Sequence, residues 1–443
     1  MYDILKDDIK GLFFKKYLLP SICATLVTSI YVLADTIMIG KGVGAHAIAA
    51  LNIVLPIYSI LFGTGLLLGI GGGVLMSVAN GSGNHKKANS FFTLSVLCGI
   101  FFSIFYIVFG ILFFKPIIFL LGGTEQNFPL IKEYLFPLLL LTPAFIFSSL
   151  LQAFVRNDKN PKKAMLAVIS GGITNIILDY IFIFEFHWSM LGAVLATILG
   201  TILTDCILLS HFFSKKNTMQ LTKQNLSFES IFRIFSCGLS SFLTEISNGA
   251  LIFFFNIQFL NYIGEIGVIV YSIISNCGIV AMSLFNGVSQ ASQPLIATNY
   301  GANQIKRVSL VSQLGTIVII IIGCFLFASG FFAPEFFISM FVEPTREITQ
   351  LGISAIRIYF IAFLFMGYNI FYATYFQSIV KPMYSFTISF LRGLIISGIS
   401  VFLFPIIWGA NSLWYVMPFT EIIVCLIAVL LALKTKNNLS KIN

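Results

Sequence analysis

The chain has 443 residues, of which 58% are apolar and only 10% are charged, and its formal net charge is +9. A water-soluble domain carries about 25% charged residues because its surface faces water. The composition therefore excludes a soluble protein and predicts an all-α membrane protein whose surface faces lipid. The basic residues lie scattered between apolar runs and form no patch or stripe, so we do not expect nucleic-acid binding.

Twelve apolar runs are long enough to cross a bilayer, which takes about 20 helical residues. Six runs precede and six follow one polar stretch, Lys215 to Ser227. The runs cover residues 17–40, 48–79, 88–114, 131–154, 164–185, 189–213, 231–260, 267–298, 308–331, 349–378, 383–407 and 411–433. We therefore predict two pseudo-symmetric six-helix bundles, residues 1–214 and 229–443, joined by a linker over residues 215–228.

The distribution of basic residues sets the orientation through the positive-inside rule. With the N-terminus in the cytoplasm, 20 of the 26 Lys and Arg residues fall on the cytoplasmic side and four fall outside. The last two, Arg357 and Arg392, lie within predicted helices. We expect a monomeric multi-pass protein, in contact with the lipids of the cell (plasma or inner) membrane, with both termini in the cytoplasm.

Two sequence matches indicate that the halves arose by duplication. Asn80-Gly-Ser-Gly-Asn84 after the second run resembles Asn299-Tyr-Gly-Ala-Asn303 after the eighth. Gln152 near the end of the fourth run resembles Gln377 near the end of the tenth, if a four-residue gap is allowed in the following loop. Because each repeat has an even number of helices, the halves share one orientation, and parallel repeats of this kind place the substrate path between them.

Acidic side chains inside apolar runs need a reason, because each costs about 2.5–3.5 kcal/mol at the middle of the bilayer. Asp35 lies near the outer end of the first helix, and Asn175 and Asp179 share one face of the fifth. Thr197 lies at a similar depth in the sixth helix. Two carboxyl groups, an amide and a hydroxyl form an oxygen site suited to H⁺ or a small cation such as Na⁺.

The alternative is that these polar groups hydrogen-bond neighbouring helices and only hold the bundle together. For Thr197 or Asn175 alone that alternative is the better one. For two acids at one depth we favour ion coupling. Two nearby carboxylates cannot both be charged at low cost, so we expect one of them to hold a proton.

Two acids of the second half lie near the middle of the membrane, Glu245 in the seventh helix and Glu421 in the twelfth. Either could bind a cationic substrate or carry a second proton. The other possibility is an internal ion pair with Arg357 or Arg392. The sequence leaves both possibilities open.

Proline and glycine residues indicate where the first two helices bend or pack closely. Pro20 removes a backbone hydrogen bond from the first helix, which produces either a hinge or a static kink. Gly65, Gly69 and Gly73 recur at every fourth residue of the second helix. A phosphate-binding loop needs a following Gly-Lys-Ser/Thr and a preceding strand, so the spacing indicates close helix packing instead.

Several segments resemble the multidrug and toxic compound extrusion (MATE) family over nearly the whole chain. They are Tyr31-Val-Leu-Ala-Asp35-Thr-Ile-Met-Ile-Gly40, Asn175-Ile-Ile-Leu-Asp179, Gly192-Ala-Val-Leu-Ala-Thr197, and Gln293-Pro294 before Asn299-Tyr-Gly301. The resemblance implies a V-shaped pair of bundles that exports organic cations and drugs in exchange for H⁺ or Na⁺.

The resemblance also implies roles for single residues. The four groups that match the cation site of the DinF-like branch are Asp35, Asn175, Asp179 and Thr197. Pro20 matches a proline at which the first helix bends during transport. Glu245 is the counterpart suggested for a carboxylate of the NorM-like branch, but the tenth helix has no acid between Gly352 and Gln377 to complete that site. A second candidate site, for binding substrate or a second proton, consists of Glu245, Glu421 and Gln293.

We therefore predict a cation-coupled antiporter for amphipathic, cationic compounds, with no cofactor and only H⁺ or Na⁺ as the coupling ion. A flippase for lipid-linked saccharides is the first alternative, but it needs more basic residues in its cavity than Arg357 and Arg392. A membrane enzyme or receptor is the second. It needs a catalytic constellation or an extramembrane domain, and the sequence shows neither.

Overall fold

The computed structural model describes residues 4–440, apart from the side chains of Ala45 and residues 438–440. Lys441, which we assigned to the cytoplasmic side, lies outside the described residues, as do the outermost ends of the two predicted bundles. The described chain is folded into α-helices joined by loops, with short π and 3₁₀ segments inside or at the ends of several helices.

Within residues 4–440, twelve helices are long and apolar enough to cross a membrane when one bent pair is counted as a single span. We label them α1 Ile9–Gly42, α2 His46–Gly81, α3 His85–Leu112, α4 Phe128–Leu140 with Thr142–Asn157, α5 Pro161–Glu185, α6 Ser189–Phe213, α7 Phe228–Tyr262, α8 Glu265–Gly301, α9 Ile305–Phe332, α10 Arg346–Ser378, α11 Pro382–Trp408 and α12 Ala410–Asn437. They follow the predicted runs in order. The predicted fold class, an all-α membrane protein of two six-helix bundles, is confirmed.

The fourth span is bent by 57° at Leu141. Pro143 stands at the start of its second piece and Pro137 lies inside its first piece. Proline has no N–H to continue the helical ladder, so the break falls between these two residues. The Thr142 hydroxyl donates to the Leu139 carbonyl oxygen (2.7 Å) and satisfies one of the acceptors that the break leaves free.

The two halves repeat with a slightly different register from the one we predicted. Helices α2 and α8 end at Gly81 and Gly301, and α3 and α9 are both 28 residues long. This offset of 220 residues, 301 minus 81, aligns Asn80 with Tyr300, so the predicted match to Asn299 is wrong by one residue. Further along the chain the offset between the halves is 221 residues, because α5 begins at Pro161 and α11 begins at Pro382.

The predicted match of Gln152 with Gln377 is also wrong. An offset of 221 places Gln377 opposite Arg156 instead. The gap that the match required was therefore a sign of misalignment. The assignment of residues 1–214 and 229–443 to two lobes stays a prediction in its boundaries.

The halves meet where α7 lies along α2 and where α8 packs against α1 and α2. A Cβ on Gly71 of α2 would overlap the Ile234 carbonyl oxygen, and a Cβ on Gly238 of α7 would overlap that of Leu67. Glycines on both helices therefore let the two backbones touch.

The other glycine series of α2 packs within the first half. Cβ atoms on Gly65 and Gly69 would lie 2.6 Å from the Ile146 carbonyl oxygen and 2.8 Å from the Leu150 Cα of α4. A Cβ on Gly73 would lie 2.9 Å from the side-chain nitrogen of Asn157. The predicted close packing of this series is confirmed.

At the end of the bundle where α1 begins and α2 ends, here called the terminal face, the start of the chain packs into the second half. Phe13 and Tyr17 are buried in the same apolar core as residues of α8 and α9. Arg307, at the start of α9, donates through Nη2 to the carbonyl oxygens of Ile4 (2.7 Å) and Asp7 (2.8 Å). The beginning of the chain therefore ties the halves together at this face.

The polar linker after α6 is fastened to the first half by a buried carboxylate. Asp158, 1% exposed, accepts hydrogen bonds from the Thr218 backbone N–H (2.9 Å) and hydroxyl, and pairs with His211 Nε2 at 2.8 Å. Further along the linker, the Thr222 N–H donates to Thr93 Oγ1 (3.0 Å). The linker thus follows the surface of the first half before α7 begins.

Candidate functional site

The structure brings the two first-half acids together. Asp35 comes from α1 and Asp179 from α5, and their carboxyl groups are neighbours. Asp179 is completely buried. A π-helical turn, Tyr180–Glu185, begins directly after Asp179. Turns of this kind are rare inside helices and occur often at functional sites.

The predicted amide and hydroxyl lie beside this acid pair. The Asn175 side-chain nitrogen donates to the Thr197 hydroxyl oxygen at 3.3 Å, which links α5 to α6. The Thr197 hydroxyl donates in turn to the Ala193 carbonyl oxygen at 3.1 Å. Asp179 lies one turn further along α5, on the same face as Asn175. All four residues of the predicted cation site are therefore in one place.

Several oxygens of this group have no donor among the described residues. They are Asp35 Oδ1, Asn175 Oδ1 and both carboxyl oxygens of Asp179. Two ionised carboxylates only accept hydrogen bonds, so the acids cannot bond to each other until one takes up a proton. Buried carboxylates without partners are strongly unfavourable. A proton or a small monovalent cation would supply the partner that these oxygens lack.

The set of acceptors does not resemble a transition-metal centre. The described residues contain no group of three or more His, Cys, Asp or Glu side chains that could share a metal ion. Carboxyl, amide and hydroxyl oxygens are the hard ligands that suit H⁺ or Na⁺.

Three tyrosines that the sequence analysis did not single out surround the acid pair. Tyr134 of α4 lies beside Thr197 and near both carboxyl groups. Tyr31 of α1 lies near Asp35 and beside Tyr58 of α2. Only Tyr31 had a sequence signal, because it lies four residues before Asp35 and so on the same helix face. The other two come from different helices.

A central cavity of about 420 Å³ lies between the halves, bordered by α1, α2, α7, α8, α10 and α11. Its polar lining consists mainly of hydroxyl and amide groups, among them Thr25, Thr28, Ser29, Ser240, Ser241, Thr244, Asn248, Asn286, Gln290, Gln293 and Gln377. Asp35 and Asp179 are not part of this lining. The nearest lining residue of α1 is Val32, about one turn before Asp35. The candidate ion site and the cavity are therefore separate but share a helix.

The two acids of the second half have different environments. Glu245 lines the cavity and makes no ion pair among the described residues. Glu421 does not line the cavity and is completely buried. One of its carboxyl oxygens pairs with Arg392 Nε at 2.7 Å and the other accepts from the Asn369 side chain at 2.7 Å. Of the two possibilities left open for Glu421, the structure shows the internal pair.

The remaining two candidates also have defined places. Gln293 is 1% exposed, lines the cavity, and leaves its side-chain oxygen without a donor among the described residues. Pro20 is buried at the point where a π-helical segment, Leu12–Leu18, passes into a regular α-helix. The helix thus adapts to the missing N–H by widening before the proline. Whether α1 bends there during transport stays a prediction.

Comparison with known proteins gives consistent matches. The family model described as MatE matches twice, over residues 20–181 and 239–402. The multidrug export protein MepA of Staphylococcus saprophyticus is 27% identical over 308 residues, which cover 69% of this chain and 68% of that protein. MepA of Staphylococcus aureus is 24% identical over 427 residues, 95% of this chain and 93% of that protein.

Solved structures share the fold. The structure of an outward-facing conformation of a multidrug resistance MATE family transporter of the MOP superfamily aligns with a TM-score of 0.91 at 21% identity, covering 99% of this chain and 98% of that one. At that identity the likeness concerns the architecture alone.

Proposed function

The chain belongs to the MATE family of transporters, and from this premise we propose that it exports amphipathic organic cations in exchange for H⁺ or Na⁺. The observation that carries the proposal is the pairing of Asp35 with the completely buried Asp179, in which one carboxyl oxygen of Asp35 and both of Asp179 lack donors among the described residues. Such a pair gains a favourable interaction only when it binds a proton or cation. An acid pair of this kind has no evident use in a passive channel or a purely structural bundle.

The substrate side of the proposal rests on the central cavity. Among the described residues that line it, only Arg392 and Glu245 are charged, and the other polar groups are uncharged hydroxyls and amides. Arg392 is paired with Glu421, whereas Glu245 makes no ion pair among the described residues, so the Glu245 carboxylate favours an amphipathic cation in this partly apolar cavity. The printed names of the relatives, multidrug export proteins, agree with this class of cargo.

Helix α1 provides the coupling between the two sites. Thr28 and Val32 line the cavity, and Asp35 lies about one turn further along the same helix. Binding a proton or Na⁺ at Asp35 and Asp179 changes how α1 packs and so changes the shape of the cavity. Exchange requires only that ion and substrate favour opposite states of the protein.

We also propose how the protein is oriented in the membrane and in which oligomeric state it acts. The terminal face, to which Lys10, Lys86 and Lys306 belong, is taken as cytoplasmic because it carries most of the basic residues. The contacts between the halves at this face then correspond to a state closed toward the cytoplasm. We further propose that the protein acts as a monomer in the cell membrane, and that each bundle moves largely as a unit during alternating access.

A lipid-linked saccharide flippase is disfavoured by the same cavity. A pyrophosphate group calls for several basic residues, and the lining holds only Arg392. Arg357 donates to the Phe331 carbonyl oxygen and stacks on its ring, away from the cavity.

The test is reconstitution of the purified protein into liposomes loaded with ethidium. We expect efflux that accelerates when a proton or sodium gradient is imposed and that stops when the gradient is dissipated. Liposomes without protein give the background leak. Efflux that is the same with and without both gradients contradicts ion coupling, and no efflux above background contradicts the transport proposal as a whole.

A further inference from the structure

The ion pair between Arg392 and Glu421 leaves most of the guanidinium group unused. Only Nε donates to Glu421, at 2.7 Å. A guanidinium has five N–H donors in a planar fork, and a pair made only for stability tends to engage carboxylate with two parallel bonds. The terminal nitrogens of Arg392 make no hydrogen bond to the protein among the described residues.

The rest of the network holds this geometry in place. Asn369 donates to the second carboxyl oxygen of Glu421 (2.7 Å) and to the Glu421 carbonyl oxygen (2.9 Å). Glu421 therefore cannot turn to accept a second bond from the guanidinium. Arg392 itself lies in a π-helical segment, Leu391–Ile395, where the Ser397 hydroxyl donates to its carbonyl oxygen.

Arg392 lines the central cavity together with Glu245, and no other described residue of the lining is charged. They approach it from different sides. Gly393 packs against Ser247, where a Cβ on the glycine would lie 2.5 Å from the serine Cβ, so Arg392 is beside one face of α7. Glu245 leaves α7 toward α2, where its Cβ lies 3.6 Å from the position of a Cβ on Gly63.

We propose that Arg392 forms an anion subsite in the cavity, which binds a carboxylate of the transported compound while Glu245 binds its cationic group. The cavity then accepts zwitterionic compounds as well as simple cations. This inference rests on the proposed function in taking the cavity as the substrate site, and it assigns the recognition of a substrate carboxylate to Arg392. Glu421 and Asn369 act as positioning residues for the guanidinium.

The experiment measures binding of two matched dyes to the purified protein by fluorescence polarisation. One dye is rhodamine 6G, a cationic ethyl ester, and the other is the free acid of the same dye, a zwitterion. We expect wild type to bind both. Arg392→Gln should weaken binding of the free acid by about tenfold or more, the usual effect of losing a charge-assisted hydrogen bond, and leave the ester nearly unchanged. Arg357→Gln, outside the cavity, is the matched control and should change neither.

Two further variants test whether a loss of binding comes from misfolding or from a merely structural role of Arg392. Arg392→Gln combined with Glu421→Gln replaces the ion pair by neutral hydrogen-bonding groups and should show the same selective loss. Arg392→Lys keeps the charge without the planar fork and should lose part of the free-acid affinity.

The inference is overturned if wild type does not bind the free acid, or if the folded variants weaken both dyes equally. Gradient-driven transport is measured separately on the same preparations. Selective free-acid binding without any transport supports the subsite while contradicting the export function. Export of the ester by a protein that does not bind the free acid contradicts the subsite alone.

Discussion

Gly81 at the end of α2 and Gly301 at the end of α8 hold the two halves together by reciprocal packing. A Cβ on Gly81 would overlap the Thr298 carbonyl oxygen, and a Cβ on Gly301 would overlap that of Val78. The two contacts are related by the same offset of 220 residues, 301 minus 81 and 298 minus 78. The crossing is therefore a contact on the pseudo-twofold axis, at the terminal face.

Gly81→Ala and Gly301→Ala should each destabilise this closed crossing. Overpacking a close contact costs about 1–3 kcal/mol, and here the neighbour is backbone, which moves less readily than a side chain. Thermal unfolding of the purified protein should show a lower Tm for both. Gly398→Ala in α11 is the control, because nothing lies within 4 Å of the added Cβ. Equal Tm values for all three variants would show that the helices separate without cost.

Glu245→Gln and Glu421→Gln should separate a binding role from a structural one. Glu421→Gln leaves Arg392 without a counter-charge in a buried place, and breaking such a pair costs about 3–5 kcal/mol. Its Tm should fall. Glu245→Gln should keep the Tm of wild type and lose affinity for a cationic dye such as rhodamine 6G. A Glu245→Gln protein that binds the dye as wild type does contradicts the role given to this carboxylate.

Arg307→Ala should release the beginning of the chain from α9. The variant loses the bonds from Nη2 to the carbonyl oxygens of Ile4 and Asp7. Limited digestion with trypsin should then cut faster after Lys10, Lys15 and Lys16. Lys306→Ala, which removes the exposed neighbouring charge, should leave the rate unchanged. The same cleavage rate in both variants would mean that apolar burial of Phe13 and Tyr17 suffices to hold the segment.

Asp158→Ala should loosen the linker. It removes the acceptor of the buried His211 Nε2 and of the Thr218 N–H and hydroxyl, at a cost of about 1–3 kcal/mol. We expect a lower Tm than that of wild type. Relative to wild type, hydrogen exchange should accelerate more over the linker than over α7. Glu229→Ala, an exposed acid at the start of α7, is the control. Unchanged exchange in the linker would show that its other contacts, such as that of Thr222 with Thr93, hold it alone.

The spans and the grouping of the four polar residues could be predicted because both depend on local sequence. Apolar runs of sufficient length set the helices, and polar residues such as Asp35 and Asp179 stand out inside them. The i, i+4 spacing placed Asn175 and Asp179 on one face without knowledge of the fold. Depth in the membrane then placed Asp35 and Thr197 at the same level.

The contacts that depend on how distant helices pack could not be predicted. Tyr134 and Tyr58 are ordinary residues within apolar helices, and only the packing of α2 and α4 against α1 brings them to the acid pair. The choice of Arg392 rather than Arg357 as the partner of Glu421 has no sequence signal either. The predicted repeat register was wrong by one residue because it aligned the identical residues Asn80 and Asn299 instead of the ends of helices α2 and α8.

In the proposed function, the acid pair of Asp35 and Asp179 couples ion movement to export. The most direct measurement compares two kinds of transport by Asp35→Asn in proteoliposomes: gradient-driven accumulation of ethidium, and exchange of labelled for unlabelled ethidium without a gradient. We predict that exchange persists while accumulation driven by either a proton or a sodium gradient is lost, because the cavity remains and only ion binding is removed. Accumulation by Asp35→Asn at the rate and extent of wild type would contradict the account.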